Sequence, residues 1–213
     1  MTAAELLIAV AVPAEAEAVR AGLAPGAPVR VEPVGVGPAA AAAGTARLLV
    51  LAEAAGRAYR GVISAGIGGG FPDRAAIGTL VLASRSVAAD LGAESPDGFR
   101  TLDELGFGQV ARPADPELLR RLRTALPGAT VGTVLTLSTV TGSAATLGAL
   151  TTRYPDAAAE GMEGYGVAVA AHQAGLPFAE LRAISNPVGP RDRDAWRIAD
   201  ALAALTAAAT ALS

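Results

Sequence analysis

Lysine and cysteine are absent from this 213-residue sequence, and histidine occurs once, as His172. All 17 basic side chains are therefore arginine. Without lysine there is no Schiff base, no G-x-x-x-x-G-K-[ST] phosphate loop and no Ser–Lys dyad. Without cysteine there is no thiolate nucleophile, disulfide or thiolate metal site. A single histidine allows no multi-histidine metal centre and leaves one candidate for a Ser-His-Asp triad. His172 lies beside Ala170, Ala171 and Gln173 with no motif around it, and reads as structural. Catalysis, if present, falls to carboxylates, arginine, asparagine, hydroxyls and backbone amides.

Basic excess is lacking too. The net charge is -3, which argues against a nucleic-acid binder. Charged residues make up only 17% of the chain, whereas alanine supplies 52 residues. A buried homo-oligomer interface, dimer or higher, explains the low charge, although the alanine content alone does so as well. No stretch approaches the ~20 apolar residues of a membrane span. The start, Met1-Thr-Ala-Ala-Glu, has no positive n-region, and the apolar run Leu6 to Val12 stops at Pro13. The expectation is a cytoplasmic protein without membrane contact, and one domain over residues 1–213.

Apolar runs suited to strands alternate with alanine-rich helical ones. Strands are predicted over Leu6–Val12, Val29–Val36, from Gly61–Ser64 running into Gly66-Ile-Gly-Gly-Gly70, and over Thr79–Val87, Val131–Ser138 and Phe178–Ser185. Helices are predicted to follow Pro13, from Pro38 to about Ala54, and over Pro116–Ala125, Ser143–Arg153, Glu163–Ala174 and Ala195–Leu212. Asp90–Arg112 shows no clear period. The pattern predicts an α/β fold, a three-layer αβα sandwich with a central sheet. In such folds ligands sit outside the carboxyl ends of strands, so the residues placed there carry the functional reading.

Gly35-Val-Gly37-Pro-Ala-Ala40 matches the loose dinucleotide fingerprint G-x-G-x-x-A. The acidic ribose partner about 20 residues on would be Glu53, which falls on or beside a helix rather than at a strand end. Pro38 also removes an amide, so a tight turn with close helix packing is favoured. Gly66-Ile-Gly-Gly-Gly70 reads as a strand end whose amides face a ligand, the alternative being a flexible turn. Glu163, at a helix start behind Met162, offers an acceptor pair to a diol or simply complements the dipole. Asn186 ends an apolar strand before the loop Pro187-Val-Gly-Pro-Arg191-Asp-Arg193, which reads as a solvated face or a lid. Glu15 on its own reads as an exposed first-turn carboxylate.

Taken together and in order, Val10-Ala-Val-Pro-Ala-Glu15, Gly35-Val-Gly37, Ser64-Ala-Gly-Ile-Gly-Gly-Gly-Phe71, Gly161-Met-Glu163-Gly and Arg182-Ala-Ile-Ser-Asn186 resemble the nucleoside phosphorylase and nucleosidase superfamily. Asp90-Leu-Gly-Ala-Glu94 and the Val188 to Ile198 stretch are similar to its futalosine hydrolase branch. The resemblance implies a nucleoside phosphorylase-like fold with a mixed sheet. The implied activity is cleavage of futalosine to hypoxanthine and dehypoxanthine futalosine in menaquinone biosynthesis, with no metal or cofactor. It implies that Glu15 orients and deprotonates water, that Glu163 binds the ribose diol beside Met162, and that Val140 and Thr141 hold the purine. Asn186 takes the position that protonates or hydrogen-bonds N7, where methylthioadenosine nucleosidases have Asp; an amide suits a 6-oxopurine. Ile67 replaces a serine that those enzymes place near the water. Gly66 and Gly68 belong to the substrate-facing glycine run. Arg191 or Arg193 pairs with the substrate benzoate, or an arginine–Asp192 pair steadies the lid. The alternatives are a purine nucleoside phosphorylase, a methylthioadenosine nucleosidase, or a non-catalytic nucleoside-binding domain.

Overall fold

Leu6-Leu-Ile-Ala-Val10 is buried at every position in the computed structural model, which describes residues 4–212. Residues 1–3, the first part of the stretch read above for an export signal, and Ser213 lie outside the described residues. Continuous burial is what a strand covered on both faces requires. This strand, β1 (Leu6–Val10), sends Leu6, Ile8 and Val10 to one side of the sheet and Leu7 and Ala9 to the other. The first side is covered by α1 (Pro13–Gly22) and the C-terminal α6 (Ile198–Ala211), through Ala16, Val19, Ala201 and Leu205. The second is covered by α2 (Pro38–Ala54) and α5 (Gly164–Gln173), through Ala41, Leu49, Val167 and Ala168.

The remaining elements are β2 (Val29–Pro33), β3 (Gly61–Gly70), β4 (Leu80–Ala88), β5 (Gly92–Ser95), β6 (Gly98–Thr101), β7 (Ala111–Pro113), α3 (Pro116–Ala125), β8 (Thr130–Thr136), α4 (Ala144–Arg153), β9 (Ala157–Gly161) and β10 (Phe178–Pro187). The main sheet runs β10-β4-β8-β9-β3-β1-β2, with β7 added to β4. Pairing is parallel except for β10–β4, β3–β9 and β4–β7. The three-layer sandwich with a mixed sheet is therefore the observed fold. Beyond that expectation, β10 also pairs with β3, so five of the strands close into a ring.

Three stretches differ from the sequence reading. The glycine run is the end of β3, as expected, but it is extended backbone paired with β10 and β9 through Gly70 and not a flexible turn. Its glycines serve close approach, since a Cβ on Gly70 would lie 2.1 Å from the Ala75 carbonyl oxygen. The strand β9, Ala157-Ala-Ala-Glu-Gly161, escaped prediction because alanine favours helices, and its pairing with β8 and β3 overrides that preference. The aperiodic Asp90–Arg112 segment holds the β5–β6 hairpin and β7.

Helices α2 and α5 meet at Gly166, where a Cβ would stand 2.1 Å from the Pro38 carbonyl oxygen. On α4, Gly148 has open space around the same atom. Gly166→Ala is expected to cost about 1–3 kcal/mol by overpacking. Gly148→Ala is expected to gain up to about 1 kcal/mol from helix propensity. Thermal melts of the two variants should move in opposite directions, by about 2–4 °C for each kcal/mol; a shift of the same sign in both overturns this account.

Candidate active site

Strand β10 carries two charged residues, Glu180 and Arg182, in an otherwise apolar run. Two positions apart, they share the face opposite Ala179, Leu181 and Ala183, and both are about 1% exposed. The Arg182 guanidinium donates from Nε to Glu180 Oε1 (2.9 Å), from Nη1 to Glu163 Oε2 (3.2 Å) and from Nη2 to Ser64 Oγ (3.0 Å). Burial by itself opposes the Arg182 charge, but the carboxylates of Glu180, Glu163 and Glu15 outweigh it and raise its pKa. Glu180 is pushed up by burial, against the pull of Arg182.

Glycines make this packing possible. A Cβ on Gly161 would stand 3.0 Å from Arg182 Cζ, and one on Gly164 2.2 Å from Glu180 Oε1. The glycines around Glu163 thus leave room for the ion cluster beneath it. A Cβ on Gly66 would lie 2.7 Å from Glu15 Oε1 and 2.8 Å from Arg182 Nη1, which places Gly66 behind the carboxylates.

Glu163 is the residue just before α5. Its Oε1 accepts from the Gly37 N–H (3.3 Å), and its Oε2 from the Met162 N–H (3.3 Å). Gly37 makes this contact with φ +87°, a conformation that favours glycine. The Gly35-Val-Gly37 turn therefore serves Glu163 and helix packing, Gly35 lying against Ala40.

Glu15 is 4% exposed, not the solvated first-turn carboxylate its local sequence suggests. It stands in the third position of α1 and reaches back to the Ala11 (2.8 Å) and Val12 (3.3 Å) amides, one half of a capping box. Its other oxygen accepts from the Ile67 N–H at 2.9 Å. Where a serine is missing, position 67 contributes its backbone instead. Asn186 sits at an irregularity in the β10–β3 register. Its Nδ2 donates to the Pro187 carbonyl (3.0 Å), and its Oδ1 accepts from Ser185 Oγ (2.8 Å).

These residues surround one cavity of about 230 Å³, lined among others by Glu15, Ile67, Gly68, Val140, Met162, Glu163, Asn186 and Trp196. Thr141 borders a smaller recess beside Asn186, together with Arg191. Arg191 stands 5.6 Å from the Trp196 ring centroid, close enough for a cation–π contact. Arg193 is exposed and lines neither space. Asp192 accepts from the Asp194 N–H, and no ion pair joins it to Arg191 or Arg193 among the described residues. His172 is exposed on α5. Among the described residues no group of three His, Asp or Glu is arranged to hold a metal ion.

Sequence reasoning named Ser64 and Arg182 only as the first residues of motifs, and gave no role to them, to Glu180 or to Glu160. The available signal was two opposite charges at strand spacing inside an apolar strand. Glu160, on β9, also lines the cavity. Its Oε1 accepts from the Thr141 N–H (3.0 Å), while Oε2 is buried without a hydrogen-bond partner. Burial pushes the Glu160 carboxyl up, and the Thr141 hydroxyl and amide pull it part of the way back.

Arg182→Met would strand two buried carboxylates, at a cost of about 3–5 kcal/mol. Arg182→Lys should restore little of this, because an ammonium cannot reproduce the planar fork. Denaturant midpoints test both, and a lysine variant as stable as wild type overturns the geometry argument. Glu160 binds its proton more tightly in the folded state, so its contribution to stability declines as pH rises through the folded pKa. Glu160→Gln is expected to melt higher than wild type near neutral pH and to lose that advantage below about pH 4. Calorimetric scans across that range decide it; a pH-independent difference counts against the assignment.

The family model of the phosphorylase superfamily matches residues 4–213. The futalosine hydrolase of Streptomyces coelicolor is 52% identical, over 94% of this chain and 92% of its own length. Among solved structures, the futalosine hydrolase of Helicobacter pylori superposes with TM-score 0.79 at 16% identity, covering 98% of this chain and 97% of its own. A methylthioadenosine/S-adenosylhomocysteine nucleosidase from Neisseria meningitidis, in complex with methylthio-immucillin-A, does so with TM-score 0.77 at 19% identity, covering 97% and 98%. At such identities the superpositions establish the fold, whereas the identity to the Streptomyces enzyme reaches the branch. This chain belongs to the phosphorylase superfamily and, within it, to the futalosine hydrolases.

Proposed function

We propose that this protein hydrolyses the N-glycosidic bond of futalosine, releasing hypoxanthine and dehypoxanthine futalosine as a step of menaquinone biosynthesis. The observation that carries the reading is a cavity lined by Glu15, Glu163 and Asn186 in a chain 52% identical to a futalosine hydrolase. Arg182 supports hydrolysis over phosphorolysis. Its three nitrogens each have a partner, so its charge is committed to Glu163, Glu180 and Ser64 rather than to a phosphate. The Glu15 carboxylate beside it repels an anion.

In this mechanism the C1′–N9 bond breaks with its electron pair passing to the purine, leaving an oxocarbenium-like ribosyl centre. Glu163 accepts from the ribose diol, held in place by Arg182 and by the Gly37 and Met162 amides, and its charge favours the developing cation. The Met162 side chain packs on the sugar. Val140 and Thr141 border the base. Asn186 keeps one Nδ2–H on the Pro187 carbonyl and offers the other to N7 or O6 as negative charge builds on the base. Glu15, fixed by three backbone N–H groups, orients a water and takes its proton as the oxygen bonds to C1′. Arg191 caps the rim on Trp196 and steadies the lid. The protein is expected to work in the cytoplasm as a homo-oligomer, dimer or higher. Exposed Val50, Leu51 and Phe107 support an interface, and no helix among the described residues is long and apolar enough to cross a membrane.

Futalosine should be cleaved in phosphate-free buffer with release of hypoxanthine; release that requires phosphate overturns the hydrolase reading. Glu15→Gln should lower kcat by about 10²–10⁴-fold while substrate-analogue binding persists. Wild type that binds nucleosides but turns none over points instead to a binding domain.

A further inference from the structure

Glu160 has no part in the mechanism above, yet it is 4% exposed and its residue lines the cavity. It lies at the end of the pocket occupied by Asn186 and Thr141. A Cβ on Gly69 would stand 3.3 Å from Asn186 Nδ2 and 3.4 Å from Glu160 Cγ, so the two side chains flank the same bare stretch of β3. The Thr141 N–H occupies Oε1, while Oε2 and the Thr141 hydroxyl, which also acts on this carboxylate, are both buried with no hydrogen-bond partner among the described residues. Among the described residues no arginine pairs with it: Arg182 is engaged by Glu163 and Glu180. A buried carboxylate oxygen without a donor is costly to keep. The purine is the group that enters this space, and an N–H on the purine edge would satisfy it.

A 6-oxopurine and a 6-aminopurine differ in what they can supply. The oxo base carries a proton on N1 and an acceptor at O6; the amino base has a lone pair on N1 and a donor at C6. Asn186 serves either base, because its amide both donates and accepts. An ionised carboxylate only accepts. Facing N1, it would be bonded by the oxo base and would oppose the lone pair of the amino base. We propose that Glu160 is the specificity-determining residue of this pocket, accepting the N1–H of a 6-oxopurine and disfavouring the 6-amino counterpart. The inference rests on the reading that the cavity takes a purine nucleoside.

The test compares futalosine with its 6-amino analogue in phosphate-free buffer, for wild type and Glu160→Gln. Glutamine retains an oxygen for the Thr141 N–H but adds a donor, so a merely structural role survives the change. Wild type should favour futalosine in kcat/KM, and Glu160→Gln should narrow that preference by about 10- to 100-fold. An unchanged ratio, or an equal loss for both substrates, overturns the proposal. Binding of free hypoxanthine and adenine by calorimetry separates this from the hydrolase reading. If wild type cleaves neither nucleoside, the hydrolase reading fails, while a hypoxanthine preference abolished by Glu160→Gln still supports Glu160. For the case in which the variant does not fold, ¹⁵N-labelled hypoxanthine bound to wild type provides the readout. Its N1 proton should resonate downfield of the free base and exchange slowly with water; a freely exchanging N1–H overturns the proposal.

Discussion

A single buried guanidinium holds the site together. Arg182 on β10 binds Glu180 on its own strand, Glu163 at the start of α5 and Ser64 on β3. Removing such a charge from water is expensive, and only good geometry with further hydrogen bonds offsets it. Each of the three guanidinium nitrogens has a partner, which engages three of the five N–H donors. The arrangement is also unbalanced: three carboxylates, Glu15, Glu163 and Glu180, act on one cation. Part of that excess is relieved by burial, which raises the Glu180 pKa. What remains is a negative environment beside a small cavity, suited to a sugar that becomes cationic as its base departs.

The ion cluster dictates where glycine must stand. Gly66, Gly161 and Gly164 approach Arg182, Glu15 or Glu180 so closely that a methyl group would occupy their space. Gly166 does the same between α2 and α5, and that contact brings the Gly37 amide to Glu163. The glycine-rich segments of this chain are therefore largely means of bringing backbone against charged side chains. The extended β3 illustrates the point: a run with the composition of a flexible turn is a strand pinned between β10 and β9.

Glu15 and Glu160 show how burial separates similar groups. Glu15 is surrounded by three backbone donors that satisfy its charge. Glu160 has one oxygen satisfied and the other without a partner, so burial acts on it with less opposition. The first has both oxygens bonded by the backbone, whereas the second keeps one oxygen open to a further donor.

Much of the fold was legible along the chain. The period of β1 and the proline and glycine punctuation of α1, α2, α3 and α5 are local properties, and they predicted elements to within a few residues. The motif order around Glu15, Glu163 and Asn186 pointed to residues that line one cavity. Alanine-rich β9 was not legible, because its extended form depends on pairing with β8 and β3 rather than on its own preference. The site's supporting residues were hidden for a related reason. Glu180 and Arg182 show themselves locally only as two charges in an apolar strand, and nothing local distinguishes Glu160 from a solvated glutamate. By itself the sequence determined which chemistries were available, carboxylates and an amide in place of thiol, amine or imidazole, and which strands were buried. Only the tertiary structure decided which charges face each other without water, because desolvation and pairing exist only once distant segments are packed together.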